Sequence, residues 1–348
     1  MARIQLQNLQ KSFGRQTAVA GLDLDIADGE LLVFLGPSGC GKTTTLNCIA
    51  GLEAPSAGRI LFDGEDVTPR APHQRNIAMV FQSSLLYPHM TARQNIVTSL
   101  RHSGLSAGEQ RKRVADAADT LGIEGLLEKL PSQLSGGERQ RVATAKAIVR
   151  QPTAFLLDEP LAALDAALRL TLRSELVNLQ KHLVTTMIFV THDQTEAMTM
   201  GDRIAVMNGG RLEQIGTPDE IYNQPKGRFV ASFVGSPPMN LIEGEIAADA
   251  AFVAPALRVP LPTPPVARGR AVLGVRPQHL RVDREAIDGG WPLTVFALEH
   301  LGRESVIIME DGARNKVRAL VESEFRARVG DRLYAVPDPA RCFVFEAD

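Results

Sequence analysis

The chain has little of what marks a secreted or membrane-spanning protein. Among its 348 residues are 3 cysteines, Cys40, Cys48 and Cys342. Their spacing suits neither a metal site nor a disulfide framework, so we expect a reducing, cytoplasmic compartment. No apolar run approaches the ~18–20 residues of a membrane-spanning helix. The first residues, MARIQLQNL, lack the apolar core of a signal peptide. We therefore expect such a chain to work at a membrane only when a partner holds it there.

An excess of charge of one sign is also missing. The formal net charge is −2, so there is no basic field to attract nucleic acid or anionic lipid, and we expect no nucleic-acid partner. Hydrophobic residues make up 44% of the chain, which suits ordinary soluble cores. A chain of this length favours two domains or one large domain.

The most informative stretch is GPSGCGKT, which runs from Gly36 to Thr43. The apolar run Leu31–Leu35 precedes it and predicts a buried strand. Apolar residues that include Leu46 and Ile49 follow it at helical spacing. A strand, a glycine-rich loop and a helix in this order are typical of a phosphate-binding P-loop.

The chemistry of this stretch predicts a nucleoside-triphosphate site. Glycines let successive backbone N–H groups turn onto phosphate oxygens, and the helix N-terminus adds partial positive charge. Lys42 is expected to reach the β- and γ-phosphates, and the Thr43 hydroxyl to bind Mg²⁺. The predicted nucleotide-binding residues of this loop are Gly36, Pro37, Ser38, Gly39, Cys40, Gly41, Lys42, Thr43 and Thr44.

Several buried strand patterns alternate with helical ones, which predicts a parallel α/β sheet. Polar residues directly follow the strands, and ligands bind at the carboxyl ends of strands in such sheets. We therefore expect four polar sites along one sheet edge. They are the P-loop, Gln82 after strand 76–81, Asp158–Glu159 after strand 154–157, and His192 after strand 186–190.

Other segments complete the first part of the chain. Alternating patterns at 3–9, 22–26 and 59–62 predict an antiparallel edge sheet. Residues 91–129 have helical spacing, which predicts an inserted helical subdomain at about 88–152. Residues 169–181 predict an amphipathic helix, and Asp193 with Glu196 predicts a capping box for the helix after it.

After Gly235 the pattern changes to proline-rich stretches and short alternating runs without a long helical period. This predicts a small all-β domain, a sandwich or a barrel. We therefore divide the chain into residues 1–235 and residues 236–348. The predicted strands of the second part are 241–246, 271–275, 293–298, 305–309, 316–321, 333–336 and 342–345.

The acidic pair at the end of strand 154–157 fits a Walker B motif. Phosphoryl transfer needs a metal, charge neutralisation and an oriented nucleophile. Asp158 is expected to hold Mg²⁺ through its hydration shell, and Glu159 to polarise the attacking water. The alternative is a solvated acidic pair in a turn.

The stretch LSGGE, from Leu134 to Glu138, precedes a predicted helix. Its two glycines would expose backbone N–H groups to an anion, although an ordinary loop and helix cap would have the same pattern. The longer sequence LSGGERQRVA resembles the signature of ATP-binding cassette (ABC) proteins, and it lies between the P-loop and Walker B as that family requires. The family usually has Gln where this chain has Glu138, and Glu should still accept a hydrogen bond.

The resemblance implies an ATPase with further site residues. Gln82 matches the glutamine that binds Mg²⁺ and water and senses the γ-phosphate. Asp165, in LAALD, matches the D-loop aspartate, and His192 matches the switch histidine that contacts the γ-phosphate. Phe13 lies where the family places an aromatic ring that stacks on adenine, although it could equally be a core residue. The implied cofactors are ATP and Mg²⁺, and the implied catalytic residues are Glu159, His192 and Gln82.

The family's signature loop serves the P-loop of another subunit. Ser135, Gly136, Gly137 and Glu138 would therefore complete the partner's site, and one chain with one set of motifs implies a symmetric homodimer. ATP would close that dimer, and hydrolysis would open it.

The resemblance covers the whole chain. Within the family, the chain is similar to the carbohydrate-uptake branch of importer ATPases. GSPPMNL (235–241) and GVRPQHL (274–280) are similar to segments of maltose and glycerol-3-phosphate importer ATPases, and the β tail resembles their OB-like, TOBE-type regulatory domain. The implied function is ATP hydrolysis that drives uptake of a sugar or polyol derivative. Relatives for polyamines, sulfate or ferric iron share the architecture. A soluble ABC ATPase acting on DNA or ribosomes would need a coiled-coil insertion or a second cassette, and this chain has neither pattern.

The same resemblance implies the partners and the location. The chain would bind two integral-membrane permease subunits at the cytoplasmic face of the inner membrane, and an extracytoplasmic solute-binding protein would act indirectly. Residues 83–90 fall where the family docks a permease helix, with Leu85, Leu86 and Tyr87 as its apolar surface. Equally, these residues could pack within the helical subdomain. An ATPase subunit does not touch the cargo, so no residue here identifies it. The sequence also leaves open whether the β tail binds a regulator.

Overall fold

The computed structural model describes residues 2–81, 84–101, 103–162, 164–262 and 269–347. The first ten strands are β1 (Ile4–Phe13), β2 (Gln16–Ile26), β3 (Leu31–Leu35), β4 (Ala57–Phe62), β5 (Glu65–Asp66), β6 (Ile77–Val80), β7 (Ala154–Asp158), β8 (Thr186–Thr191), β9 (Arg203–Asn208) and β10 (Arg211–Gly216). The helices are α1 (Lys42–Ala50), α2 (Ala92–Thr98), α3 (Ala107–Thr120), α4 (Gly136–Ile148), α5 (Ala166–Leu183), α6 (Gln194–Met200), α7 (Pro218–Asn223) and α8 (Arg228–Phe233).

The later strands are all antiparallel to their neighbours. They are β11 (Asn240–Ile246), β12 (Ala251–Ala254), β13 (Leu257–Pro260), β14 (Gly269–Val275), β15 (Leu280–Asp283), β16 (Trp291–His300), β17 (Glu304–Glu310), β18 (Lys316–Glu322), β19 (Arg332–Pro337) and β20 (Cys342–Glu346).

A six-stranded sheet forms the centre of the first part, in the order β10-β9-β3-β8-β7-β6. Its strands pair in parallel except for β10, which is antiparallel at the edge. Every residue of β3 and β8 is buried, as expected for strands covered on both faces. The predicted parallel α/β sheet is confirmed, and β3, β8 and β7 are adjacent in it.

A second sheet in this part has the order β2-β1-β4-β5 and is antiparallel. It confirms the edge sheet predicted from the alternating patterns. Buried Leu22, Leu24 and Ile26 of β2 and buried Ile4 of β1 belong to the same hydrophobic cluster as Leu46 of α1. Helix α1, which follows the glycine-rich loop, therefore packs in a core that the antiparallel and parallel sheets share.

The helical insertion comprises α2, α3 and α4 with two short 3₁₀ turns between α3 and α4. Each of the three helices begins with a hydroxyl N-cap that accepts a hydrogen bond from the third residue, at Thr91, Ser106 and Ser135. Each also has a Glu or Gln that returns the bond, which forms a capping box. Local sequence thus sets the start of every helix in this insertion.

The chain divides into two compact units, one that ends at Ile221 and one that begins at Tyr222. The domain division between residues 235 and 236 stays a prediction. Arg276 shows why the second unit starts earlier, because its buried guanidinium donates to the Val234 carbonyl at 2.7 Å and to the Tyr222 carbonyl. It also lies 3.7 Å above the Tyr222 ring.

The second unit contains two five-stranded sheets, in the orders β13-β12-β11-β14-β20 and β15-β19-β16-β17-β18. One core contains fully buried Trp291, Phe252 and Leu273. Asn240 joins the two sheets, since its side chain bonds the Val275 carbonyl and both backbone groups of Arg318. The all-β prediction is confirmed.

The alternating patterns missed β12, β13 and β15, which have four residues each. Pro260 ends β13, at the edge of its sheet, where a residue without an N–H is tolerated. A segment interpreted as proline-rich therefore includes the end of a strand, and its continuation, 263–268, lies outside the described residues.

Candidate functional site

The loop between β3 and α1 packs too closely to other backbone for side chains at two of its glycines. A Cβ atom at Gly36 would overlap the Met207 carbonyl and the Cys40 sulfur. Gly41 has φ of 103°, and a Cβ there would overlap the Ala18 carbonyl. Glycine is required at both positions because the backbone itself forms the wall of the loop.

Lys42 points into this loop. Its Nζ donates to the Gly36 carbonyl at 2.7 Å and to the Pro37 carbonyl at 2.9 Å, and its side chain is buried. Among the described residues no side chain caps the N-terminus of α1, which leaves its first N–H groups available to a ligand. This combination suits a phosphate group. Of the remaining predicted loop residues, Ser38, Gly39 and Thr43 are exposed, Thr44 is half-buried and Cys40 is buried.

Thr43 and Asp158 meet although 115 positions separate them. The Thr43 hydroxyl donates to Asp158 Oδ1 at 2.9 Å. Asp158 ends β7, and burial raises the pKa of its carboxyl group, an effect that the Thr43 hydrogen bond opposes and the charge of Glu159 adds to. Two oxygen ligands of the type that Mg²⁺ prefers therefore lie beside the P-loop.

Glu159 and His192 form the second pair at this edge of the sheet. His192 Nδ1 lies 3.1 Å from Glu159 Oε1. Glu159 has φ of 45°, a left-handed conformation that is uncommon outside glycine, and its N–H donates to the Val190 carbonyl at 3.0 Å. This backbone hydrogen bond to β8 holds the residue in that conformation next to His192.

The polar network after β8 differs from the predicted capping box in the position of Glu196. Asp193 caps α6 as expected, accepting from the N–H groups of Thr195 and Glu196. Glu196 does not complete a capping box, because its carboxylate accepts instead from the Thr191 hydroxyl at 2.5 Å. Burial raises the pKa of Glu196. The signal in the sequence was the spacing of polar residues in THDQTE, which predicted a local cap and concealed a tertiary contact.

The signature residues start α4. Ser135 is its N-cap and accepts from the Glu138 N–H at 3.2 Å, while Glu138 accepts from the Ser135 N–H at 2.7 Å. This bond, with the Ser135 hydroxyl, lowers the pKa of Glu138. Gly136 is the first helical residue. A Cβ at Gly137 would overlap the Leu168 side chain of α5, so this glycine sets how closely α4 approaches α5.

Two predicted residues lie in other settings. Asp165 is the N-cap of α5 and accepts from the Leu168 N–H at 3.0 Å. Phe13 ends β1 with half of its surface exposed, and Lys11 Nζ lies 4.7 Å from its ring centroid. Gln82 lies outside the described residues.

The geometry thus brings together two pairs, Thr43 with Asp158 and Glu159 with His192, at the carboxyl ends of three adjacent strands. A cradle of backbone donors and one buried ammonium group lies beside them. The donors are suited to phosphate, the oxygen pair to a divalent cation, and the carboxylate–imidazole pair to positioning a water for attack.

Comparison with known families agrees with this chemistry. Residues 19–162 match the ABC transporter family, residues 235–280 match the MalK OB fold domain, and residues 273–345 match the TOBE domain. The chain is similar to solved cassettes. CbiO1 from Clostridium perfringens, part of an ABC transporter complex, has a TM-score of 0.59 and 32% identity over 63% of this chain and 89% of that one. The cassette MJ0796, in a dimeric post-hydrolysis state bound to ADP and Pi, has a TM-score of 0.56 and 30% identity over 62% of this chain and 98% of that one.

Curated relatives cover nearly the whole chain. The sn-glycerol-3-phosphate import ATP-binding protein UgpC 2 of Rhizobium johnstonii is 47% identical over 96% of this chain and 94% of its own length. UgpC of Cereibacter sphaeroides is 46% identical over 100% and 99%. The xylose/arabinose import ATP-binding protein XacJ of Haloferax volcanii is 44% identical over 100% and 94%. The chain therefore belongs to the ABC transporter family, as a nucleotide-binding ATPase subunit of the import type.

Proposed function

We propose that this ATPase drives uptake of a sugar or polyol derivative, in the class of glycerol-3-phosphate, through a pair of permease subunits. One observation supports the ATPase part of the proposal. The P-loop, the Thr43–Asp158 pair and the Glu159–His192 pair follow three neighbouring strands and lie at one edge of the sheet.

The residues divide the work of hydrolysis between them. The backbone of residues 36–44 and the Lys42 ammonium group bind the β- and γ-phosphates of ATP. Glu159 accepts a proton from the attacking water, and His192 holds the γ-phosphate and keeps the Glu159 carboxylate in place. Gln82 keeps its role as a metal and water ligand on the ground of the sequence alone, and Phe13 stacks on adenine.

Thr43 and Asp158 are suited to Mg²⁺. A hydroxyl and a carboxylate oxygen 2.9 Å apart fit the oxygen ligands that Mg²⁺ takes beside substrate phosphates. When bound, Mg²⁺ neutralises charge on the phosphate oxygens. Burial, which raises the pKa of Asp158, makes a nearby cation favourable for the ionised carboxylate.

The signature residues Ser135, Gly136, Gly137 and Glu138 serve the P-loop of a second copy, and Asp165 lies at the same interface. The dimeric cassette MJ0796 supports a homodimer with two sites. Ser135 and Gly136 lie at the N-terminus of a 13-residue helix, where an anion is favourable. In this proposal ATP closes the dimer and hydrolysis opens it.

The permease docks beside residues 84–90 at the cytoplasmic face of the membrane. Leu85 and Tyr87 are exposed, and they line a groove of about 510 Å³ with Leu86 and residues of β6 and α4. The Lys146 ammonium group lies 4.7 Å from the Tyr87 ring centroid. An open apolar groove with one aromatic wall fits a short permease helix better than internal packing does. Among the described residues, no helix is long and apolar enough to cross a membrane.

The relatives support the cargo class. UgpC proteins carry the name of sn-glycerol-3-phosphate import and XacJ that of xylose/arabinose import. None of the relatives named above is named for polyamines, sulfate or ferric iron, so the polyol and sugar class is the one proposed. The solute-binding protein outside the membrane would select the cargo.

Two measurements test the proposal. The full chain should hydrolyse MgATP, and Lys42→Ala should abolish nucleotide binding while leaving the unfolding transition intact. Reconstituted with its permease pair in proteoliposomes, the chain should support ATP-dependent accumulation of at least one of labelled glycerol-3-phosphate, xylose and arabinose, each added with the solute-binding protein. ATPase activity without accumulation of glycerol-3-phosphate, xylose or arabinose would contradict the cargo class and leave the ATPase assignment intact.

A further inference from the structure

We infer that Arg169 is a positioning residue for hydrolysis, because its guanidinium joins the segment before α5 to the segment that carries His192. The inference rests on the proposed function, since it assigns a support for His192 and not a separate reaction. It concerns a side chain on α5 that no sequence motif singled out.

One side of the guanidinium faces the start of α6. Arg169 Nη1 lies 3.3 Å from Asp193 Oδ2, and Arg169 Nε lies 3.8 Å from Glu196 Oε1. Asp193 and Thr191 flank His192, and they are joined by a hydrogen bond of 2.9 Å from the Asp193 N–H to the Thr191 hydroxyl. Both neighbours of His192 therefore belong to the network that Arg169 completes.

The other side of the guanidinium faces the preceding loop. Arg169 Nη2 donates to the Leu164 carbonyl at 3.1 Å. Leu164 directly precedes Asp165, the N-cap of α5. One rigid planar group thus links the loop that follows β7 with the loop that follows β8, and a shift of either loop is transmitted to the other.

Arg169 acts through these neighbours and not on the nucleotide. A cavity of about 40 Å³ is lined by Glu159, His192, Arg169 and Glu196. It has room for about three waters and is too small for a phosphate group with its neighbours. We therefore expect Arg169 to affect the orientation of His192, and hence turnover, with little effect on the affinity for ATP.

The chemistry requires arginine and not merely a positive charge. Its planar fork presents several donors in fixed directions, which a lysine ammonium group cannot reproduce. Glu196 is buried, so removal of the guanidinium would take away the arginine charge beside its carboxylate and leave the hydrogen bond from the Thr191 hydroxyl. The loop that carries His192 would then lose the contact that orients it.

A double-mutant cycle with His192 tests the inference in the full chain. Arg169→Met should lower kcat for MgATP about 10- to 100-fold, with KM within about twofold, since misplacing a catalytic group acts on turnover. Arg169→Lys should recover part of that loss. In the His192→Ala background, where residual turnover is followed over longer reactions, Arg169→Met should change kcat less than about twofold. Arg173→Met, one turn further along α5, is the matched control and should match the wild type.

The outcomes separate this inference from the proposed function. A wild-type chain that does not hydrolyse ATP would overturn the proposed function. If the wild type is active but Arg169→Met leaves kcat unchanged, or lowers it by the same factor with and without His192, Arg169 does not act through His192. If the Met variant fails to fold, as judged by its thermal unfolding transition, Arg169→Lys carries the same cycle, with a smaller loss that must also vanish in the His192→Ala background.

Discussion

Glu159 Oε1 and His192 Nδ1 lie 3.1 Å apart, although the two residues follow different strands and are separated by 33 positions. The contact exists because β7 and β8 pair in parallel with Asp158 opposite Val190. The register of two buried strands therefore sets the distance between a carboxylate and an imidazole. Any change that shifts this register, or moves either loop, should lower turnover more than it lowers the affinity for nucleotide.

Glu159→Gln should abolish most hydrolysis and leave nucleotide binding intact. The amide keeps the size of the side chain and loses the proton acceptor, and a positioned general base contributes about 10²- to 10⁴-fold. The variant should also retain ATP in a closed dimer, which size-exclusion chromatography with ATP can detect. Glu124→Gln, an exposed glutamate in the helical insertion, is the control. Wild-type turnover in the Glu159 variant would show that Glu159 is not the general base.

His192→Ala should lower kcat about 10- to 100-fold with nucleotide affinity retained, because the carboxylate loses the partner that orients it. Steady-state hydrolysis and fluorescent-nucleotide binding separate the two effects. His182→Ala, an exposed histidine whose Nδ1 lies 2.7 Å from the Asn178 carbonyl oxygen, should behave as the wild type. Normal turnover without His192 would exclude it from the mechanism.

Gly137→Ala should destabilise the chain by about 1–3 kcal/mol, because a new Cβ would overlap Leu168. Leu168 donates its N–H to Asp165, so the displacement should also disturb the start of α5. Denaturant unfolding measures the first effect and ATPase activity the second.

The chain contains its own control for this substitution. Residues 106–109 repeat the capping box of residues 135–138, with Gly108 in the place of Gly137. Among the described residues, a Cβ at Gly108 would meet only the Ser106 hydroxyl, at 3.9 Å. Gly108→Ala should be neutral or stabilise by up to about 1 kcal/mol. Equal effects at the two glycines would show that the Leu168 contact is unimportant.

Glu175→Gln should stabilise the chain more at pH 7 than at pH 4.5. Burial raises the pKa of Glu175 above its ordinary value of 4.5, although the Arg141 charge opposes this. The folded state then holds the proton more tightly than the unfolded chain, so the free energy of unfolding falls as pH rises above that value. The difference in Tm between the variant and the wild type measures this loss.

Glu109→Gln should change stability with the opposite dependence on pH. Hydrogen bonds from Ser106 lower the pKa of Glu109, so its contribution to stability is present above pH 4.5 and is lost as pH falls through the lowered value. This variant should be less stable than the wild type at pH 7, and the difference should shrink in acid. A common pH trend in the two variants would contradict one of the two assignments, and its direction would show which one.

Much of the fold followed from periodicity and loop chemistry. β3, β7 and β8 were predicted to within a residue because buried parallel strands are continuous apolar runs. The strands β12, β13 and β15 were missed because each has four residues, and four residues are too few to show a clear alternating pattern. Asp193 and Glu196 were assigned to a local cap because their spacing suits one, whereas Glu196 is bound to Thr191.

The order of residues along the chain was enough to place a phosphate cradle, two carboxylates and a histidine at strand ends, because a parallel sheet presents all such ends on one edge. It was also enough to cap the helices, since capping depends on residues within one turn. Only the tertiary structure decided that Thr43 meets Asp158, that Gly137 rather than Gly108 must be glycine, and that Arg169 joins two loops. Those outcomes depend on which surfaces pack together, and packing is a property of residues distant in sequence.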